Sequence, residues 1–189
     1  MAELKDYSGD FIPNVKYEDF SKEFLAQLLV EYARCYIMAD GLWYSAVKEK
    51  FGPEAAYAID CDMWVNKFPL FETARILSVL NLKGNDVADV MKFYQLTAMF
   101  PHGMFDYEID LKNRNHALLT IKRCPALLRF EAKEPEMIVP ICQVMEPASA
   151  NSYAKQINPD IVVTMPKMPP RQSPDEVCCQ FEFKLERKT

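Results

Sequence analysis

Glycine and histidine are scarce in this chain, five and two among 189 residues. With so few glycines no loop can wrap its backbone N–H groups around a phosphate, and neither G-x-x-x-x-G-K-S/T nor G-x-G-x-x-G occurs. Also missing are a G-x-S-x-G elbow, an H-E-x-x-H helix and any C-x-x-C pair. These absences argue against nucleotide-loop enzymes, elbow-type serine hydrolases and simple zincins. Clustered Lys and Arg are missing too. The formal charge is −5, and the one basic end, Lys184 to Lys188, is interrupted by Glu186. Nucleic acid and acidic membrane surfaces both reward clustered cations, so neither is expected as a partner. No apolar run approaches the roughly 20 residues that span a bilayer. The stretch Met1 to Asp10 has no basic region leading into an apolar one and does not read as a secretory signal. Six cysteines in such a chain suggest reduced thiols rather than a disulfide framework, and the expected setting is the cytoplasm.

What the chain does have is apolar and aromatic side chains, 50% and 12% of its residues, enough to bury a core in one domain. Residues 1–18 read as an extended arm, 19–100 as a helical half and 104–186 as a sheet-containing half. Asp19 or Ser21 can cap a long helix. Its apolar stripe, with Phe24, Leu25, Leu28, Leu29, Tyr32, Tyr36, Trp43 and Val47, runs to Phe51, where Gly52-Pro53 stops it. Further helices are expected over 53–67, over 70–80 and from Asn85 or Asp86 to about Leu96. Within the second of these, Glu72 and Arg75 stand one turn apart and are placed to pair on the surface.

The period then changes from helical to alternating. Phe105, Tyr107, Ile109 and Leu111 predict a half-buried strand, Asn113 to Asn115 a turn, and His116 to Lys122 the returning strand. Short helical pieces follow over 125–132 and 140–157, with Pro147 as a kink or division. Residues 161–165 read as a strand, and the four prolines from Pro166 to Pro174 as an extended loop. Val177, Cys179, Phe181, Phe183 and Leu185 alternate with polar neighbours in the clearest strand of the chain. The fold class expected is α+β, a helical N-terminal half packed on an antiparallel sheet of about four strands with inserted helices.

Candidate chemistry is sparse. Asp40 interrupts the apolar stripe of the long helix between Tyr36 and Trp43, and a carboxylate there needs a partner or a shifted pKa. It is either a ligand contact or the edge of a local kink. Trp43, Trp64 and Tyr44 can line a pocket for a flat ligand, or serve as core. Cys124 lies just past a strand end, Cys142 near a helix start, and Cys178 and Cys179 at the last strand. Together with His116 they form a possible zinc or iron ligand set, against the alternative of separately buried core thiols. Cys178 serves if the polar face of the strand borders the site, Cys179 if the apolar face does. His116, next to the Asn113 to Asn115 turn, is either a site residue or a hairpin cap. Lys167 and Arg171 flank Pro169-Pro170 and read as anion contacts or as solvated loop charges.

Cys124-Pro125, Cys142, Asn158-Pro159 and the closing Cys178-Cys179-Gln180-Phe181-Glu182-Phe183 resemble the end of proteins related to L-2-amino-thiazoline-4-carboxylate hydrolase. The whole chain, from Asp6-Tyr7-Ser8-Gly9 to Pro169-Pro170-Arg171, is similar to an uncharacterised family of anaerobic prokaryotes. Both resemble in outline the small ligand-binding domains of vinyl-reductase-like and trafficking-complex proteins, which implies helices combined with an antiparallel sheet. Three functions stay open: a small-molecule- or metal-binding accessory domain, a hydrolase acting on a small C–N substrate, and an interaction subunit without a site. Partners compatible with these are a small-molecule ligand, a second copy of the chain, or a larger complex.

Overall fold

The computed structural model describes residues 3–82 and 84–186; Met1 and Ala2 of the expected arm, and Arg187 and Lys188 of the basic end, lie outside the described residues. Helix α1 spans Lys22–Phe51. It starts where Ser21 accepts the Phe24 N–H at 3.2 Å and stops at Gly52, whose φ of 90° turns the chain as a side chain would resist. Pro53 then opens α2, Pro53–Cys61, with a φ already suited to a first helical turn. A π-helical segment, Asp62–Lys67, leads into α3, Phe68–Leu80. Asp86 caps α4, Val87–Leu96. Ahead of α1 the arm is pinned by backbone pairing of Leu4 with Asp19 and Ser21 and by Phe20 stacking on Phe24.

Strands β1, Asp106–Asn113, and β2, His116–Arg123, form the expected hairpin. Helix α5, Pro125–Lys133, follows, then a second π-helical segment, Ile138–Met145, which runs into α6, Glu146–Ile157. Strands β3, Ile161–Lys167, and β4, Cys179–Leu185, complete one antiparallel sheet in the order β1-β2-β4-β3. The fold is α+β. Alternation works as the sequence predicts: Ala117, Leu119, Ile121, Phe181, Phe183, Ile161 and Val163 are buried on one face, against Phe93 and Tyr94 of α4 and Tyr153 of α6. Each such large side chain contributes about 1.5–3 kcal/mol by leaving water. The opposite face carries His116, Thr120, Gln180 and Glu182, hydrogen-bonded to one another in pairs.

Two expectations need correction. Pro166 lies inside β3 rather than in a loop. This costs no ladder bond because β3 is an edge strand, and its pairing with β4 shifts register between Thr164 and Lys167. The free edge of β3 is met at Val163 by the side chain of Asn151, whose amide donates to the Val163 carbonyl at 2.9 Å and accepts its N–H at 3.1 Å. Glu72 does not pair with Arg75 on the surface. It is buried, accepting from the hydroxyls of Thr97 at 2.6 Å and Tyr153 at 2.7 Å, while Arg75 lies over the Phe71 ring. Packing of α3 against α6 turns Glu72 inward and overrides the weak helical pair.

Candidate functional site

Two prolines shape the site. A proline offers no N–H to the carbonyl four residues back, and its ring crowds that carbonyl. Pro69 does this to Val65 and Pro147 to Gln143, and each of those carbonyls sits in a π-helical segment directly upstream. A π turn takes up the crowding by widening the helix, a device common at functional positions. The first segment presents Trp64 and follows Asp60 at the end of α2; the second delivers Glu146 to the start of α6. The two are tied together where Ser149 of α6 donates to the Trp64 carbonyl at 2.9 Å.

Asp40 of α1 joins them. Its carboxylate accepts the Trp64 indole N–H at 3.2 Å, and that indole also favours the charged form of Asp60. Asp40 and Asp60 therefore meet at one tryptophan, and Glu146 lies near enough for its charge to act on Asp60, a partly buried carboxyl cluster. Burial pushes Asp60 up to about 7, with the charges of Asp40 and Glu146 adding to it. Burial likewise pushes Glu146 up to about 7, with Asp40 adding. Asp40 is raised by burial and partly relieved by the indole. Among the described residues, no lysine or arginine pairs with any of the three, and no hydrogen bond engages the Glu146 carboxyl. Both physical causes of a raised carboxyl act here: loss of water and like charge.

Aromatic side chains enclose the cluster. Tyr36 and Phe68 stack at 5.7 Å between ring centres, and Trp64 meets Phe68 at 5.1 Å and Tyr36 at 6.3 Å. On the inner side Glu146 borders a cavity of about 10 Å³ with Tyr94, Ser149, Tyr153 and Phe181, room for a single water. A wider hollow of about 650 Å³ lies elsewhere, between the end of α4 and β1, lined by Gln95, His102, Phe105, Tyr107 and Ile109. It is open to solvent and gathers no comparable set of ionisable groups.

The four cysteines of the sequence-derived ligand set do gather near this cluster. Cys124, Cys142 and Cys179 each feel the charge of Glu146, and Cys178 lies within reach of all three. Local roles occupy two of them. Cys124 caps α5 by accepting the Leu127 N–H at 3.5 Å, and Cys178 donates to the Lys122 carbonyl at 3.4 Å. Burial pushes Cys124 up to about 12 and raises Cys142, Cys178 and Cys179 also. Metal ligands and nucleophiles act as thiolates, the form that this burial disfavours. Among the described residues, no three His, Cys, Asp or Glu side chains are grouped to hold a metal ion.

His116 stands apart. It is on the outer face of the sheet, 2.9 Å from Glu182, with the sheet between it and the carboxyl cluster. Trp43 is on an exposed face of α1, and Asp40 alone of the expected ligand contacts lies in the cluster. Lys167 pairs with Glu176 and Arg171 with Glu131, so both loop cations are already engaged. Asp60 and Glu146 escape the sequence reading. Their only local signal is a proline shortly downstream in a helical pattern, at Pro69 and Pro147.

The chain belongs to a family of unknown function, DUF6125, whose model matches residues 18–185. No curated protein and no solved structure matches it. Among the described residues, no helix is long and apolar enough to cross a membrane.

Proposed function

We propose that this DUF6125 member is a small-molecule-binding domain whose carboxyl cluster, Asp40, Asp60 and Glu146, takes up an organic cation. One observation carries the reading: three carboxyls share an aromatic-lined region with no cationic side chain among the described residues to balance them. Such a site satisfies itself either by holding protons or by accepting a cation, and Trp64, Tyr36 and Phe68 supply the ring faces that favour an ammonium or guanidinium group. Proton and ligand compete, so affinity follows the groups that titrate near pH 7. Calorimetric titration with tetramethylammonium, guanidinium and a linear diamine is the test. Binding is expected to be about tenfold tighter at pH 8 than at pH 6, to release protons, and to be lost in Asp60→Asn and Glu146→Gln. Failure of all three probes to bind at millimolar concentration, or binding indifferent to both substitutions, overturns it.

A second reading, a hydrolase acting on a small C–N substrate, draws support from a separate feature. Glu146 and Ser149 border a cavity the size of one water, and a carboxyl with a pKa of about 7 suits a general base. Hydrolysis of aminothiazoline carboxylate by the wild type, abolished in Glu146→Gln, is the outcome that favours it over binding alone.

A further inference from the structure

Helix α1 is 30 residues long, about 45 Å, yet only Tyr36 and Tyr44 of its apolar side chains pack on the main core cluster and only Val47 is buried. Its outward face is apolar in a strict order. Leu28, Tyr32, Cys35, Ala39, Leu42 and Ala46 recur at spacings of four, three, four, three and four, the seam of a heptad repeat. All but Leu28, which is partly covered, are exposed. Leu29 and Trp43 flank the seam on one side and Met38 on the other; with Tyr32 and Leu42 they are between 51% and 66% exposed. Among the described residues, the arm meets this face near its start, where Tyr17 reaches Tyr32.

We propose that this face is the interface with a second copy of the same chain, the two α1 helices lying antiparallel about a two-fold axis near residue 37. Three points support that occupant. The seam pairs unlike groups in this orientation: Leu28 meets Ala46 of the other copy, Tyr32 meets Leu42, and Cys35 meets Ala39, so no large side chain stacks on its own copy. A parallel pair would instead stack tyrosine on tyrosine and alanine on alanine, crowding one layer and leaving gaps in the next. Charge is nearly absent from the flanks, where Glu31 falls opposite Ser45 of the other copy, so no like charges meet. The area is also adequate. Five large side chains at about 100 Å² each, with Cys35, Ala39 and Ala46, give roughly 600 Å² per copy, most of the roughly 800 Å² per partner of a standard interface.

Sedimentation of the full chain across micromolar concentrations tests the proposal. The wild type is expected to be dimeric, and Leu42→Glu to weaken the dimer by about 100-fold or more, because two copies of the change enter one interface. Leu42 is exposed in the single chain, so circular dichroism should show Leu42→Glu folded like the wild type. Orientation has its own readout. Ala39→Cys places a cysteine opposite Cys35 of the other copy, and mild oxidation should link the chains; the same treatment should leave wild type unlinked and fail in Cys35→Ser, Ala39→Cys. A monomeric wild type, a dimer that survives Leu42→Glu, or rapid linking through Cys35 in the wild type overturns the proposal as stated.

Discussion

Glu72 on α3 and Glu146 on α6 reach the same aromatic cluster, close enough that both add to the burial that pushes the Tyr94 phenol up. Their circumstances are opposite. Glu72 is buried with each oxygen matched to a hydroxyl, one from Thr97 and one from Tyr153, which locks α3 to α6 and to the end of α4. Glu146 lies a short distance along the same core, more accessible, its carboxyl without a hydrogen bond among the described residues and with Asp40 as a like-charged neighbour. The first is a completed polar network, and such networks specify a structure. The second is uncompensated, and uncompensated carboxyls are where ligands, protons or reactions enter.

Breaking the completed side should cost most. Glu72→Ala leaves the Tyr153 and Thr97 hydroxyls buried without an acceptor, and chemical denaturation should show a loss of about 3 kcal/mol. Breaking the uncompensated side should do the reverse. A carboxyl whose pKa rises on folding, here from 4.5 to about 7, holds its proton more tightly in the folded chain. Its charge therefore opposes folding increasingly as pH rises from the unfolded value through the folded one, and the wild type should lose stability between pH 5 and pH 8. Glu146→Gln removes that penalty. It should stabilise the chain by about 1–2 kcal/mol at pH 8, after allowance for solvent screening of a partly exposed group, and by little at pH 5. The smallest expected effect sharpens the comparison at the thiols. Cys124→Ala loses a helix cap and a small buried volume, about 1 kcal/mol in the same denaturation experiment. Ligand binding at the carboxyl cluster should survive it, since Cys124 acts on α5.

Much of the sheet was legible because one face is buried and the other wet. That difference writes itself as alternation in Tyr107 to Ile121 and again in Val177 to Leu185. Asp40 was legible for the same reason, as a charge standing where the helical stripe calls for an apolar group. Asp60 and Glu146 were not, because neither breaks a pattern in its own segment; they become unusual only when α1, α2 and α6 meet. Glu72 shows the converse. Helical spacing sets it one turn from Arg75, and only the approach of Tyr153 reveals that it faces inward. Pro166 was read as a strand breaker for want of knowing that β3 is an edge. For the thiols the sequence left open a shared site or separate burial, and the burial that raises them is a property spacing does not report.

The amide of Asn151 at Val163 has a consequence for the free edge of the sheet. By imitating a short piece of neighbouring strand it occupies both backbone groups that an incoming chain would need there, so the sheet is closed to growth along β3. Among the described residues β1 is the other margin, and Asp106, Glu108 and Asp110 stand along it at every second residue, Glu108 paired with Lys122 and Asp110 with Lys112. The sheet thus carries a device at each margin, an asparagine side chain standing in for a strand on one side and a row of ion-paired charges on the other.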